Sequence, residues 1–257
     1  NPYEQLKQRL QGQHTNEIKI RAYGWTESAI GNAFPRFGDG HVIDHTQIPK
    51  EGKNFMCVDP AGSRNWFMLW GRNVDDVLYI YREWPDASMG EWAIPSEKPD
   101  GSAGPAQRAG GGGNSINWYK KLITDLEDGE EIFLRLIDPR ACKAKSLDGR
   151  EILDELKMGE AGMWFDPASG AQIQLGVGLI NDLLYYDNHQ EIDDENRPRL
   201  FVSNRCKNLI FAVKEWSGAG GEKSPTKDPI DVLRYIVQEE NLFTPQDTLG
   251  TSGGGSY

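Results

Sequence analysis

Two short, mostly apolar runs that each end in Asp-Pro constrain the fold of this chain most strongly. The run at 55–58 leads into Asp59-Pro60, and the run at 133–137 leads into Asp138-Pro139. A residue that follows a buried strand projects from the rim of its sheet, so both carboxylates are predicted at an edge that a ligand or metal ion can reach. Asp-Pro is also a common way to end a strand and begin a turn. Each pair, taken alone, is more often such a turn signal than part of a functional site.

A third acidic element lies near the C-terminus. Pro229 follows Asp228, as expected for the first turn of a helix that an aspartate caps. A helical wheel places Asp231 opposite the apolar stripe of this helix, which predicts a solvent-facing carboxylate. Helix capping by Asp228 and a favourable first-turn charge at Asp231 are the ordinary alternatives. With Asp59 and Asp138, these acids offer the oxygen ligands that Mg²⁺ and Mn²⁺ prefer, without a Cys or His cluster.

The segments around these acids resemble one protein family. The residues at 58–63, 136–140 and 228–235 are similar, in order and spacing, to the three acidic motifs of the nuclease domain of tailed-bacteriophage terminase large subunits. The resemblance extends from about residue 30 to about residue 240. Further stretches similar to the family lie at 32–37, 41–43, 81–84, 180–184, 198–202 and 206–210.

The resemblance implies an α/β, RNase H-like fold, in which a mixed sheet flanked by helices carries acidic residues that hold one or two divalent cations. Carried over onto this sequence, Asp59, Asp138 and Asp231 are the implied catalytic residues and metal ligands, and Asp228 is a further implied metal ligand. Many relatives have a histidine after the aspartate that matches Asp228, whereas this chain has Pro229. Proline neither ligates a metal nor relays a proton, so any role of that imidazole is absent here.

The activity that the resemblance implies is Mg²⁺- or Mn²⁺-dependent hydrolysis of phosphodiesters in concatemeric double-stranded DNA, with little sequence specificity, during viral DNA packaging. The implied partners are double-stranded DNA, the terminase ATPase domain, the small terminase subunit and the portal, in the host cytoplasm during viral assembly. Two alternatives stay open: a non-catalytic module that docks the packaging motor or portal, and another RNase H-like nuclease such as a junction resolvase.

Length and composition predict one sizeable domain. The chain has 257 residues, of which 38% are hydrophobic and 10% aromatic, enough for a substantial core. We expect a linker or the tail of a preceding ATPase module at 1–30, the nuclease domain at 31–243, and a disordered tail at 244–257. Because the sequence starts without methionine, we expect a fragment of a longer protein. It has no phosphate-binding loop and no 18-residue apolar stretch, so we expect neither ATP hydrolysis nor membrane insertion.

The charge of the chain argues against strong autonomous DNA binding. A net charge of −11 and a pI near 4.9 disfavour phosphate neutralisation, which dominates affinity for duplex DNA. A group of basic residues near the acidic motifs, here called the basic rim, could still position DNA phosphates without reading the sequence. Each of these residues is explained equally well as an ordinary solvated charge. We expect weak, salt-sensitive, sequence-independent binding. The predicted DNA contacts are Arg64, Arg82, Arg140, Lys143 and Lys145.

The order of secondary structure also follows from the sequence. Strands are predicted at 54–59, 65–71 and 76–84 as an antiparallel meander with a turn at 73–76. The connection at 85–113 is rich in Gly, Pro, Ser and Ala and is predicted to be disordered or a mobile flap, with Trp84, Trp92 and Trp118 anchoring its ends. The later elements are predicted as a helix at 114–127, a strand at 131–138, a helix at 147–157, and either an amphipathic helix or a strand–helix pair at 173–186. Two further segments, at 200–202 and 204–215, precede a glycine-rich connection and a last helix.

The cysteine and histidine usage predicts neither disulfides nor zinc. Cys57, Cys142 and Cys206 are odd in number and widely spaced, which is typical of buried, reduced thiols. His41 and His45 share an i,i+4 spacing but lie among turn residues, so a zinc site is not expected there.

Overall fold

We describe the fold from a computed structural model of the chain. The predictions for 1–30 and 244–257, and those for Arg64 and Trp92, lie outside the described residues. The structure describes residues 31–61, 65–86, 114–146, 149–159, 161–169, 172–187, 189–193, 195–218, 226–239 and 242, and the backbone of 93–97 and 103–108.

The strands that the structure describes are β1 (Val42–Ile43), β2 (Lys53–Asp59), β3 (Phe67–Val74), β4 (Val77–Trp84), β5 (Ala93–Glu97), β6 (Ala103–Arg108), β7 (Leu134–Ile137), β8 (Asp166–Pro167) and β9 (Leu200–Ser203). Seven of them form one mixed sheet in the order β1-β9-β4-β3-β2-β7-β8. The β2–β3 and β3–β4 pairs are antiparallel, and the other pairs of this sheet are parallel. With helices on both faces, this is the α/β, RNase H-like architecture that the sequence predicts.

The α-helices that the structure describes cover the two faces of the sheet. They are α1 (Ile116–Glu127), α2 (Ile152–Lys157), α3 (Ile173–Leu183), α4 (Lys207–Glu215) and α5 (Lys227–Val237). Alternate residues of a strand point to opposite faces, and β2 is buried along its whole length. Phe55 and Cys57 pack in the core beneath α3, α4 and α5. Met56 and Val58 pack in the core beneath α1 and α2. The central strand therefore carries Asp59 out of a doubly covered core.

The predicted antiparallel meander is confirmed as β2, β3 and β4. The turn between β3 and β4 consists of Asp75 and Asp76, whose φ angles are +48° and +61°. Aspartate tolerates this left-handed region better than most residues. The helix predicted at 114–127 and the strand predicted at 131–138 are also confirmed, and each begins slightly later in the structure than the sequence indicated.

Regular structure occurs within the segment predicted to be disordered or a mobile flap. The backbones of β5 and β6 pair antiparallel, with Ala93 opposite Arg108, as a separate two-stranded sheet. Each of these strands contains a proline, Pro95 and Pro105, which argues against a strand in the centre of a sheet. A two-stranded ribbon consists only of edges, so a missing N–H is tolerated there.

Glu83 fastens β4 to the start of α4. The residue is 3% exposed, and its carboxyl group accepts hydrogen bonds of 2.8 Å from the backbone N–H groups of Asn208 and Leu209. These bonds satisfy N–H groups of the first helical turn that have no partner within a helix. Burial raises the pKa of Glu83 to about 8, and the two N–H donors oppose that rise.

Three smaller predictions also bear on the core. Trp84 packs near Trp118, with ring centroids 5.8 Å apart, at the two described ends of the connection between β4 and α1. All three cysteines are free and buried, as predicted. Within the described ranges, no helix has both the length and the apolar character needed to cross a membrane.

Candidate active site

Asp59 and Asp138 lie side by side at one edge of the sheet. β2 and β7 run parallel with Val58 opposite Ile137, and the backbone N–H of Asp138 donates to the carbonyl of Val58 at 3.0 Å. Asp59 is the last residue of β2, and Asp138 directly follows β7. Both residues are largely buried, with 8% and 4% of their surface exposed. The pairing of the parallel strands thus brings the first two predicted acids together.

Asp138 is held by contacts from two elements. Its Oδ1 accepts a 2.6 Å hydrogen bond from the backbone N–H of Arg140, and its Oδ2 accepts a 3.1 Å hydrogen bond from the hydroxyl of Tyr235 on α5. Burial raises the pKa of the Tyr235 phenol above its ordinary value, and the charges of Asp138 and Asp231 raise it further. Tyr235 therefore stays protonated and remains a donor to the carboxylate.

Asp231 binds basic side chains of its own helix. Its Oδ1 accepts hydrogen bonds from Arg234 at 2.6 Å (Nη2) and 3.2 Å (Nε), and its Oδ2 accepts one from Lys227 Nζ at 2.6 Å. Residues three and four apart on a helix are neighbours on its surface, so α5 supplies both partners locally. The carboxylate is therefore fixed in orientation by two cations.

The predicted exposure of Asp231 is wrong, because the residue is only 3% exposed. The helical wheel identified the apolar stripe, but every residue from 228 to 237 is buried. α5 packs on β2 and β3 with one side and on α3 and α4 with others. The polar side of this helix therefore faces other polar groups of the protein rather than water.

Arg140 joins Asp138 at the sheet edge to Asp231 on α5. Its Nη2 lies 3.4 Å from Asp138 Oδ2 and 3.8 Å from Asp231 Oδ2. The Cys57 thiol, two residues before Asp59 on β2, reports the same convergence. Burial raises its pKa well above the ordinary value, and negative charge from Asp59, Asp138 and Asp231 adds to the rise. All three predicted acids are therefore close enough to Cys57 to raise the pKa of its thiol.

Asp228 lies in the first turn of α5 and is not its cap. The helix begins at Lys227, so Thr226 occupies the N-cap position and the predicted capping role of Asp228 is wrong. Asp228 is 2% exposed and three residues before Asp231, which puts both carboxylates on one side of the helix.

The structure distributes the predicted DNA contacts unevenly. Arg140 touches the acids while its side chain is 65% exposed. Lys143 is exposed in the turn that follows, and exposed Lys145 lies 4.0 Å from Glu151. Arg82 forms a 2.9 Å ion pair with Glu130, which precedes β7, so it lies away from the end of β7 that carries Asp138. Among the described members of the basic rim, Arg140 is the one that contacts the candidate site.

Sequence reasoning missed three residues of this site: Lys227, Arg234 and Tyr235. A usable signal was present, since Lys227 and Arg234 stand at i−4 and i+3 from Asp231. Tyr235 stands at i+4 from Asp231 and therefore shares its side of α5. No local pattern, however, connects Tyr235 to Asp138, because 97 residues separate them.

The donor chemistry fits a hard divalent cation, although the contacts do not yet form a coordination shell. Across the described residues, no group of three or more His, Cys, Asp or Glu side chains is arranged to hold a metal ion. The physical reason lies in Asp231, whose two oxygens are bonded to Lys227 and Arg234. Carboxylate oxygens are the ligands that Mg²⁺ and Mn²⁺ prefer. These basic side chains compete with such an ion for the oxygens of Asp231.

Comparison with known proteins identifies the fold. No family model matches the sequence, and no curated protein matches it. Among solved structures, the chain is similar to the large terminase from a thermophilic bacteriophage, with a TM-score of 0.55 and 13% identity over 88% of this chain and 51% of that one. It is also similar to the P22 large terminase nuclease domain, with a TM-score of 0.52 and 13% identity over 80% of this chain and 90% of that one.

These similarities bear on architecture. At such low identity they show only that the chain shares its fold with part of a phage large terminase and with the P22 nuclease domain, most of which it covers. The resemblance predicted from the acidic motifs is confirmed at the level of fold. The chain spans about half the length of the large terminase from the thermophilic phage.

Proposed function

We propose that this chain is the divalent-metal-dependent endonuclease domain of a viral DNA-packaging terminase, which hydrolyses phosphodiesters of concatemeric double-stranded DNA with little sequence specificity. One observation carries the proposal: Asp59 and Asp138 lie at the carboxyl ends of two neighbouring parallel strands, and Arg140 contacts both Asp138 and Asp231. The similarity of the fold to a terminase nuclease domain supports it independently. Mg²⁺ or Mn²⁺, as one or two ions, is the proposed cofactor.

The residues of the site have distinct roles in this proposal. Asp59 and Asp138 would hold the cation from the sheet edge, and Asp231, with Asp228 beside it, would complete the ligands from α5. Tyr235 orients Asp138 through its 3.1 Å hydrogen bond. Bound cations supply Lewis acidity for the attack of water on phosphorus, which breaks one P–O ester bond and leaves a hydroxyl and a phosphomonoester.

Several partners follow from the same proposal. The duplex backbone is the substrate, and Arg140, Lys143 and Lys145 are proposed to meet its phosphates near the site. The terminase ATPase domain, the small subunit and the portal are proposed partners in the host cytoplasm. The net charge of −11 makes tethering by such partners important, because the isolated domain neutralises few phosphates.

The decisive experiment is plasmid nicking with Mn²⁺ or Mg²⁺ by the 257-residue chain. Asp59→Asn, Asp138→Asn and Asp231→Asn are each expected to reduce nicking by more than about a hundredfold, and EDTA is expected to abolish it. Asp182→Asn, an exposed acid on α3, is the matched control and should retain full activity. Circular dichroism establishes that each variant folds. Full nicking by a folded Asp138→Asn variant would contradict the proposal.

One observation favours the alternative of a non-catalytic docking module. Lys227, Arg234 and Arg140 already balance the charge of Asp231, as they would in a site that never binds a metal. The same assay separates the two functions. A docking module would show no metal-dependent nicking above that of the aspartate variants, and would show no heat of Mn²⁺ binding in calorimetry.

A further inference from the structure

Among the described residues, three basic side chains contact Asp138 or Asp231, and Arg140 is the least firmly held of them. Arg234 is 2% exposed and Lys227 19% exposed at the side chain, and each bonds Asp231 at 2.6 Å. Arg140 is 65% exposed, and its guanidinium stands 3.4 Å and 3.8 Å from its two carboxylates. Exposed ion pairs are weak and easily exchanged. Arg140 is therefore the basic side chain that we expect to leave the site most readily.

The Arg140 guanidinium lies where a divalent ion held by Asp138 and Asp231 would also lie. Its Nη2 is 3.4 Å and 3.8 Å from Oδ2 of these two carboxylates, and an ion bound between them would repel its positive charge. Arg234 and Lys227 approach Asp231 from its own helix, whereas Arg140 bridges the gap between helix and strand edge. Metal binding between these elements would therefore favour an outward turn of Arg140.

A DNA phosphate offers Arg140 a replacement partner. Guanidinium groups bind phosphate with paired hydrogen bonds, so an arginine that gives up carboxylates loses little if a phosphate is within reach. The side chain is already mostly in solvent, where a phosphate can reach it. Movement of Arg140 from carboxylate to phosphate would thus favour metal binding and DNA binding at once, which makes the two ligands cooperative.

We propose that Arg140 is a positioning residue that occupies the gap between Asp138 and Asp231 until a DNA phosphate draws it away, so that the site loads its metal preferentially when DNA is bound. This inference rests on the proposed nuclease function. It adds that an arginine of the domain itself restrains metal loading in the absence of substrate.

The test measures two affinities of Arg140→Gln. Mn²⁺ affinity, from the free-ion signal in electron paramagnetic resonance, is expected to rise at least about fivefold without DNA. Affinity for a labelled duplex in low salt and Ca²⁺, from fluorescence anisotropy, is expected to fall. Arg140→Lys should give intermediate values. Lys121→Gln is the charge-matched control, because Lys121 pairs with Asp125 on α1, and both of its affinities should equal those of the original protein.

Opposite shifts in the two affinities are the diagnostic result. Unchanged or weaker Mn²⁺ binding by folded Arg140→Gln would overturn the inference while leaving the nuclease proposal intact, provided that Asp138→Asn still loses Mn²⁺ binding. Tighter Mn²⁺ binding with unchanged DNA affinity would also overturn it, because the phosphate would then have no part. If neither the original protein nor Arg140→Gln binds Mn²⁺, the proposed function and the inference both fail.

Discussion

The hydroxyl of Tyr235 donates a 3.1 Å hydrogen bond to Oδ2 of Asp138, joining the last described helix to the edge of the sheet. The bond sets how α5 sits against the carboxyl end of β7. Because Asp231 lies one turn before Tyr235 on the same helix, the distance between the strand acids and the helix acid depends on this contact. Removal of the Tyr235 hydroxyl should therefore lower both the stability and the activity of the protein.

Tyr235→Phe is expected to keep the fold and lower the free energy of unfolding by about 1 to 2 kcal/mol, the cost of a buried hydrogen bond to a charged group. Metal-dependent nicking should fall as well, because Asp138 loses the donor that orients it. Urea unfolding and the nicking assay provide the two measurements. Tyr185→Phe removes the hydroxyl of a tyrosine whose surface is 55% exposed and serves as the control. Equal stability of both variants would show that the Tyr235 bond contributes little.

Arg234→Gln should be strongly destabilising. Arg234 is 2% exposed and binds Asp231 through two nitrogens, so its loss strands a buried carboxylate that only Lys227 and Arg140 then balance. We expect a loss of about 3 kcal/mol in the free energy of unfolding. Lys214→Gln breaks the exposed 3.8 Å pair with Asp39 and should change stability little by the same measurement. Similar losses for the two variants would mean that burial does not distinguish the pairs.

Two glycines of α3 can be substituted to test how closely this helix packs against Arg234. A Cβ atom at Gly176 would stand 3.0 Å from Cγ and Cδ of Arg234 and 2.8 Å from Nε2 of Gln238, whereas a Cβ at Gly178 meets nothing within 4 Å. Gly176→Ala is therefore expected to cost about 1 to 3 kcal/mol and to reduce nicking by displacing Arg234. Gly178→Ala should stabilise the helix by up to about 1 kcal/mol. Thermal unfolding that ranks the two variants the other way would contradict this packing.

Glu83 predicts how stability depends on pH. Its pKa is about 8 in the folded protein because of burial, against an ordinary value of 4.5. Between these values the unfolded chain has released a proton that the folded protein retains. The contribution of Glu83 to stability is therefore complete below pH 4.5 and is lost as the pH rises towards 8. Glu83→Gln removes this titrating group. Between about pH 5 and about 8, the unfolding free energy of the variant should therefore fall less than that of the original protein. Parallel curves for the two proteins would show that Glu83 is ionised in the folded state.

The sheet edge could be predicted from sequence because its signals are local. Two apolar runs that end in Asp-Pro identified β2 and β7, and parallel pairing puts the ends of such strands at one edge. The meander between 53 and 84 followed from alternating apolar residues and a two-aspartate turn. Asp59 and Asp138 therefore came from the sequence with their neighbourhood largely correct.

The surroundings of α5 could not be predicted in the same way. A helical wheel distinguishes apolar from polar sides, but it does not reveal that other helices cover the polar side, as α3 does where Gly176 meets Arg234. The bond from Tyr235 to Asp138 and the bridge by Arg140 depend on that tertiary packing. The β5–β6 ribbon was not predicted for a different reason. Pro95 and Pro105 argue against strands in the centre of a sheet, but both strands of a two-stranded ribbon are edge strands, where proline is tolerated.

The order of the acids along the chain has a consequence for biosynthesis. Asp59 and Asp138 emerge from a ribosome well before α5, which is the last helix that the structure describes. A nascent chain holding only the first two acids lacks Asp231, Tyr235 and the cations that accompany them. Under the proposed function, a growing polypeptide cannot damage nucleic acid near its site of translation, and cutting ability appears only when synthesis has passed this helix.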